Sequence, residues 1–355
     1  MQPVVTMVIM AGGKGERLWP LVRTAAPKVC VPVDGSRSLL ALTLDRVRGV
    51  APRQDTLIVT SAAQARPVSR AVTAADRRAV VAEPEPRNTA ACIALATALA
   101  SARDPNGILV VLPADHWITP TASFRRSLHV GIDLAKAHDR MVMLGLTPTR
   151  VHPGLGHLCT SPHATTRRGC DVFELTRFVE KPTVEQAEQL MAQHRVHWNA
   201  GIFIGRVKTF ERLISQWLPN HAKRIFPLGE GPRSTLTRRA AAVYPAVDPI
   251  SFDHGVMAHV DEGFVVGGGY AWEDLGSWDS LARMSQFNAP LVAVQSRNAC
   301  ALSTDRAHLV AVVGVDDVIV VHTPDATLVC RADQAQAVRA AVGQLGTRRA
   351  LRRYL

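Results

Sequence analysis

The sequence predicts an α/β fold, a mostly parallel sheet with helices on both faces, followed by a small β-rich unit. Three observations predict it. Over the first 150 residues, short apolar runs without polar alternation are separated by helical stretches, the pattern of parallel strands buried on both faces. Beyond residue 288, short strand-like runs follow one another with Asp-Asp or Pro-Asp turns and no helix between them. The chain has 355 residues, 47% apolar and 20% charged, enough for a large core and far from a disordered composition.

Residues 4–10, 57–60, 108–112 and 141–144 are rich in Val, Ile and Leu and are read as strands. Residues 38–47, 89–102 and 123–137 are read as helices, the second entered through Asn88 or Thr89 as an N-cap. Ligands of such sheets gather at the carboxyl ends of the strands. From 151 to 170, Pro, Gly, His and Arg predict a long loop or an edge hairpin. Strands resume at 173–179, 202–204 and 264–266, with helices near 184–194 and 208–218. The C-terminal runs 308–313, 318–322 and 327–330 are read as strands closed by a helix over 332–345, so the expected domains are 1–287 and 288–355.

Forty-one Lys and Arg against 30 Asp and Glu give a net charge of +11, which attracts a polyanion or a small phosphorylated ligand. Nucleic acid is not the expected partner. The basic residues are scattered, their dense groups being Arg167-Arg168, Arg238-Arg239 and a tail of Arg348, Arg349, Arg352 and Arg353, expected as a solvated end, and no reading motif accompanies them. The longest apolar run, 90–100, is about half the roughly 20 residues a membrane span needs. No charged region precedes the first apolar run, so neither membrane insertion nor export is expected. Six cysteines lie far apart without a Cys-x-x-Cys pair, and most of them sit in apolar settings and read as small buried hydrophobes of a reducing, cytoplasmic compartment.

Directly after the first predicted strand comes Met10-Ala11-Gly12-Gly13-Lys14-Gly15-Glu16-Arg17-Leu18-Trp19-Pro20. Glycine permits positive φ and close backbone approach, and consecutive N–H groups converge on an anion. Two common phosphate-binding templates fail here. Leu18 takes the last place of Gly-x-Gly-x-x-Gly, and Gly15 follows Lys14 where a Walker loop needs Ser or Thr. Alone, the segment reads as a tight turn or a phosphate cradle. Lys14, Arg17 and, 11 residues past Arg17, Lys28 add cations suited to a triphosphate. Asp115, in Leu112-Pro113-Ala114-Asp115-His116, follows a buried strand directly, a poor place for a core residue; alone such an aspartate more often caps a turn, and the same place also suits a hard cation at the sheet edge.

Gly12 to Leu21 with Pro27-Lys28 resembles the signature of sugar-nucleotide pyrophosphorylases, and Leu18-Trp19-Pro20 is similar to their mannose-1-phosphate guanylyltransferase branch. Further segments match that family in the same order: Glu83-Pro84-x-x-Arg87-Asn88-Thr89-Ala90, Leu112 to His116, Phe178-Val179-Glu180-Lys181-Pro182, Trp198-Asn199-Ala200-Gly201 and Trp272-Glu273-Asp274-Leu275-Gly276. The resemblance implies a Rossmann-like nucleotidyltransferase fold over 1–287 and a short β-helix-like appendage with a closing helix over 288–355. It implies that Ala11, Gly12, Gly13, Gly15, Arg17, Arg87, Asn88 and Asp115 line a nucleotide pocket, and that Arg17 and Lys28 hold the triphosphate. Gly156, Glu180, Lys181 and Asn199 would face the sugar phosphate: the lysine its phosphate, the glutamate its hydroxyls, the asparagine donating and accepting at once. Asp115 and Asp274, 159 residues apart, would share a Mg²⁺, which demands a fold that returns them to one sheet edge. A worn family segment, Ser251 to Met257, puts Asp253 in a supporting place.

Two departures stand out. Val29-Cys30-Val31-Pro32 follows Lys28, and Leu155-Gly156-His157-Leu158 stands where the family carries Tyr-Gly-Tyr-Ile. The implied activity is guanylyl transfer from GTP to mannose 1-phosphate, giving GDP-mannose and pyrophosphate, with Arg17, Lys28, Asp115 and Asp274 as its catalytic set. A different nucleotide, another sugar 1-phosphate and a catalytically degenerate regulatory paralogue stay open. The attacking phosphate is ionised at neutral pH and needs no general base, so such transfers rest on positioning and charge. An exposed edge of the β-rich unit makes a homodimer the expected assembly.

Overall fold

The computed structural model describes residues 2–32, 37–192, 195–283 and 289–355. Its first strands are β1 (Val5–Met10), β2 (Thr56–Ser61), β3 (Val80–Glu83), β4 (Ile108–Pro113), β5 (His116–Thr119) and β6 (Met141–Leu146). They are followed by β7 (His157–Arg167), β8 (Cys170–Val179), β9 (Val196–Arg206), β10 (Gly263–Gly267) and β11 (Ala271–Asp274). All except β5 and β11 form one nine-stranded sheet in the order β3-β2-β1-β4-β9-β6-β10-β8-β7. Strands β1 to β4 are parallel neighbours, as are β6 and β10; β9 is antiparallel to β4 and β6, and β8 to β10 and β7. Only β8 and β9 therefore oppose the other seven, and the sheet is mostly parallel, as the unbroken apolar runs predict.

Helices α1 (Leu39–Val47), α2 (Ala62–Ala71), α3 (Asn88–Arg103), α4 (Thr121–Ala137), α5 (Val184–Ala192) and α6 (Val207–Trp217) join the strands. Successive strand residues serve opposite faces: Val8, Leu109 and Val111 pack with α3 and α6, whereas Met7, Ile9 and Val110 pack with α1, α2 and α4. Each large apolar side chain buried this way contributes about 1.5–3 kcal/mol. The run 90–100 is a core helix, with Ala90, Ala91, Ala94 and Ala96 fully covered.

Several expectations need correction. Neither Asn88 nor Thr89 caps α3. Asn88 opens the helix at φ +63° with its Oδ1 accepting the Thr89 N–H, and the Thr89 hydroxyl instead accepts the Phe252 N–H at 2.8 Å. The region 151–170 is a loop only as far as Gly156, after which β7 and β8 form a hairpin turning at Arg168-Gly169, both at positive φ; β7 pairs also with β9 over His157–Cys159 and is an edge only beyond that stretch. Strand β3 and helix α2 have no counterpart in the sequence reading; β3 is a four-residue edge strand, and α2 buries only Val68 and so shows no apolar stripe. The helix near 184–194 is described as Val184–Ala192, and residues 193 and 194 lie outside the described residues.

The C-terminal unit contains β12 (Leu291–Val294), β13 (Cys300–Ser303), β14 (Val310–Val313), β15 (Val318–Thr323) and β16 (Ala326–Arg331). β12 pairs in parallel with β14 and β13 with β15, the coil of a short β-helix, while β16 closes antiparallel on β15. A 3-10 segment, Ala332–Ala337, leads into the helix Val338–Thr347. The basic tail is not a free end. Its arginines are exposed, but its backbone docks, with the Trp19 indole donating to the Tyr354 carbonyl at 2.7 Å and the Arg23 guanidinium donating to the same oxygen. The boundary expected at 287/288 lies outside the described residues. Among the described residues, no helix is long and apolar enough to cross a membrane.

Candidate active site

At the carboxyl end of β1 the chain turns over the sheet and is pinned there. Ala11 N–H donates to the Val59 carbonyl at 2.8 Å, the Thr60 hydroxyl to the Ala11 carbonyl at 2.9 Å, and the Gln64 amide to the Gly13 carbonyl at 2.9 Å. Ala11 is buried beneath a loop whose Gly12, Gly13, Lys14 and Arg17 are exposed. Gly15 takes φ +60°, and a Cβ on it would stand 2.8 Å from the Lys28 Cβ and 3.0 Å from Val22 Cγ1. Glycine is therefore what lets Lys28 lie against the loop.

Lys28 Nζ sits 2.7 Å from Asp115 Oδ2 and 3.5 Å from Asp274 Oδ1. The ribbon β5–β11 brings the carboxylates together: its antiparallel register sets Asp274 opposite His116, the residue next to Asp115. Helix α1 fixes that turn from below. The Thr43 hydroxyl donates to the Ala114 carbonyl at 3.1 Å and the Arg46 guanidinium to the His116 carbonyl at 2.7 Å, one on each side of Asp115. The Trp272 indole donates to His116 Nδ1 at 3.1 Å.

Burial opposes the charge on Lys28, but the facing carboxylates of Asp115 and Asp274 outweigh it and hold the ammonium above the ordinary lysine range. Burial likewise opposes ionisation of Asp115, and Lys28 with His116 keeps its carboxyl below the usual carboxylate range. Burial pushes His116 down, consistent with a neutral ring whose Nδ1 accepts from Trp272. Among the described residues, no group of three or more His, Cys, Asp and Glu side chains is arranged to hold a metal. Two carboxylates converging on one positive charge are an all-oxygen donor pair that fits Mg²⁺, which keeps several waters and takes further ligands from substrate phosphates.

Arg17, Lys28, Asp115 and Asp274 line one cavity of about 380 Å³ together with Gly12, Gly13 and Gly15. A larger cavity of about 770 Å³ adjoins it, sharing Gly12 and Gly13 and lined further by Glu83, Arg87 and Asn88. Arg87 is engaged by Glu85 at 2.7 Å. Burial pushes the Glu83 carboxyl up to about 8, although the Tyr244 hydroxyl donates to it at 3.0 Å.

A third cluster gathers the residues expected on the sugar side. A Cβ on Gly156 would stand 2.9 Å from Glu180 Oε2 and 3.3 Å from the Asn199 Cβ. The Asn199 side chain is already engaged within the protein, donating to Asp253 Oδ1 at 2.7 Å and accepting the Gly201 N–H at 3.0 Å. Asp253, a supporting residue by sequence, is thus in direct contact with this cluster, and burial together with the nearby Glu180 charge pushes it up to about 6. Lys181 stands at φ +43°, exposed and 3.3 Å from Glu180. Thr43 and Arg46 escaped the sequence reading. Their only signal is a polar pair three residues apart on the buried face of a helix.

Fold and site together define a nucleotidyltransferase class. The family model described as Nucleotidyl transferase matches residues 6–290, and one described as MannoseP isomerase/GMP-like beta-helix domain matches 290–345. The chain belongs to the nucleotidyl transferase family. It is 31% identical to a mannose-1-phosphate guanylyltransferase of Sinorhizobium fredii, over 95% of this chain and 67% of that protein. It is also 31% identical to a protein of the same name from Salmonella montevideo, over 96% and 74%. A crystal structure described as a mannose-1-phosphate geranyltransferase from Thermus thermophilus superposes with a TM-score of 0.81 at 30% identity, covering 96% of this chain and 99% of that one.

Proposed function

We propose that this protein transfers a guanylyl group from GTP to mannose 1-phosphate, forming GDP-mannose and releasing pyrophosphate. An oxygen of the sugar phosphate attacks the α-phosphorus in line, the bond from that phosphorus to the bridging oxygen breaks, and pyrophosphate leaves with the electron pair. The observation that carries this reading is the Lys28–Asp115–Asp274 cluster beside a glycine-lined cavity. Its support in kinship is the set of relatives named for this activity.

In this reading the loop N–H groups and Arg17 cradle the triphosphate, and Lys28 balances charge at the reacting phosphorus. Asp115 and Asp274 would hold a Mg²⁺, which would supply Lewis-acid neutralisation of the phosphates. Arg87 and Asn88 border the nucleoside. Glu180 and Asn199, with Gly156 leaving room beside them, face the sugar, and Lys181 meets its phosphate. No side chain forms a covalent bond to substrate, and the protein's part is alignment. Cytoplasmic location, small-molecule rather than nucleic-acid substrates and a homodimer complete the proposal. Val292, Val294, Leu309 and Val313 are exposed together on the C-terminal strands and their connection, an apolar face suited to a second copy. Sedimentation as a monomer would remove that element.

The decisive assay offers the four nucleoside triphosphates against mannose, glucose and heptose 1-phosphates, with Mg²⁺ or chelator, and reads products by mass. GDP-mannose in the Mg²⁺ arm alone is the expected result. No product from any pair, or equal turnover under chelation, overturns the catalytic reading or its metal respectively.

A further inference from the structure

The C-terminal unit reaches into the catalytic cavity. Arg339, in the first turn of the helix Val338–Thr347, lines both the cavity around Lys28, Asp115 and Asp274 and the larger one beside it. Its Nε donates to Glu16 Oε2 at 3.1 Å, which ties the guanidinium to the glycine loop. The side chain is 70% exposed, and among the described residues neither Nη group is hydrogen-bonded. The helix itself is held independently of that ion pair. Val338 packs in the cluster that contains Leu18 and Val22 of the loop, and the Gln336 amide donates at 3.1 Å to the hydroxyl of Ser277, three residues past Asp274.

The charge balance of the cavity gives this placement a purpose. Lys28 is engaged by two carboxylates, and Lys14 and Arg339 share Glu16 at 3.8 Å and 3.1 Å, so much of the positive charge here already faces protein carboxylates, while the Nη groups of Arg339 carry no hydrogen bond among the described residues. A bound triphosphate brings several further negative charges. We propose that Arg339 is a substrate-contacting residue that binds the terminal phosphates of the nucleoside triphosphate, and hence the departing pyrophosphate. The inference rests on the nucleotidyl-transfer reading of the same site. A planar guanidinium grips phosphate oxygens through paired N–H donors, and at the leaving group it stabilises charge that grows as the bond breaks. The C-terminal unit is thereby a part of the active site and not only its support.

Arg339→Ala and Arg339→Lys, assayed in both directions, test this. A sugar nucleotide lacks the two departing phosphates. Arg339→Ala should therefore raise KM for GTP and for inorganic pyrophosphate about tenfold or more while KM for GDP-mannose and for mannose 1-phosphate stays within about twofold. Arg339→Lys should recover part of the loss, since it keeps the charge without the paired donors. An unchanged KM for pyrophosphate, or an equal worsening of all four constants with a lowered melting temperature, overturns the assignment. If wild-type protein turns over no nucleotide, the transferase reading fails by itself. Calorimetric titration of pyrophosphate with Mg²⁺ into wild type and Arg339→Ala still judges the arginine, and equal affinity refutes it.

Discussion

Lys28 and Asp115 hold each other in the charged form, Asp274 adds its carboxylate to the charge facing Lys28, and removing one member changes the surroundings of the others. Lys28→Ala leaves two carboxylates facing each other without a cation, and both it and Asp274→Ala should lower kcat at least about a hundredfold in steady-state assays. Turnover near wild type in either variant would show that the cluster is structural. Asp253 makes a different prediction. Its folded carboxyl titrates near 6, above its ordinary value, so the native state binds that proton more tightly than the unfolded chain does. Its contribution to stability is therefore greatest at low pH and is lost as pH rises from roughly 4 to about 6. Asp253→Asn keeps an acceptor for Asn199 and removes the titration, so denaturant melts at stepped pH should show the variant gaining on wild type across that window and levelling above it. Parallel curves would show that Asp253 does not titrate there.

Single elements explain why some residues of the site were legible in the sequence and others were not. The glycine loop and Asp115 each follow a buried strand directly, so a local pattern points to both. Gly15 shows how local that pattern is. Gly15→Ala puts a side chain at φ +60° and against Lys28 Cβ, which should cost about 1–3 kcal/mol of stability in denaturant melts and reduce kcat more than KM, because the displaced group is Lys28. A normal kcat would mean that the lysine tolerates the shift. The pairing of Asp115 with Asp274 depends on β5 and β11, four residues each, whose register follows from contacts between segments more than 150 residues apart. Local propensity carries no trace of that pairing. The same holds for Thr43 and Arg46, which grip carbonyls on another element, and for Asn199, whose amide looked free in the sequence and is engaged by Asp253 and Gly201.

At the scale of the molecule, the C-terminal unit and the catalytic loop share a core. Leu18, Val22, Leu275 and Trp278 cluster with Leu302, Ile319, Val321 and Val338, and the buried Trp278 indole donates to the Trp19 carbonyl at 2.8 Å. Trp278→Ala should cost about 3–5 kcal/mol and lower kcat/KM as well, since the same packing positions the loop. Calorimetry of the wild type should give one cooperative transition, and two resolved transitions would mean that the β-rich unit folds independently. By itself the sequence determined the α/β class, most strands of the sheet, the phosphate-cradling loop and the acidic residue behind β4, because apolar periodicity and glycine chemistry act over a few neighbouring residues. Only the tertiary structure decided that Asp274 meets Asp115 across Lys28, that the basic tail docks on Trp19, and that Arg339 enters the cavity. Those are meetings of distant segments, fixed by which buried surfaces fit together and not by any residue's local preference.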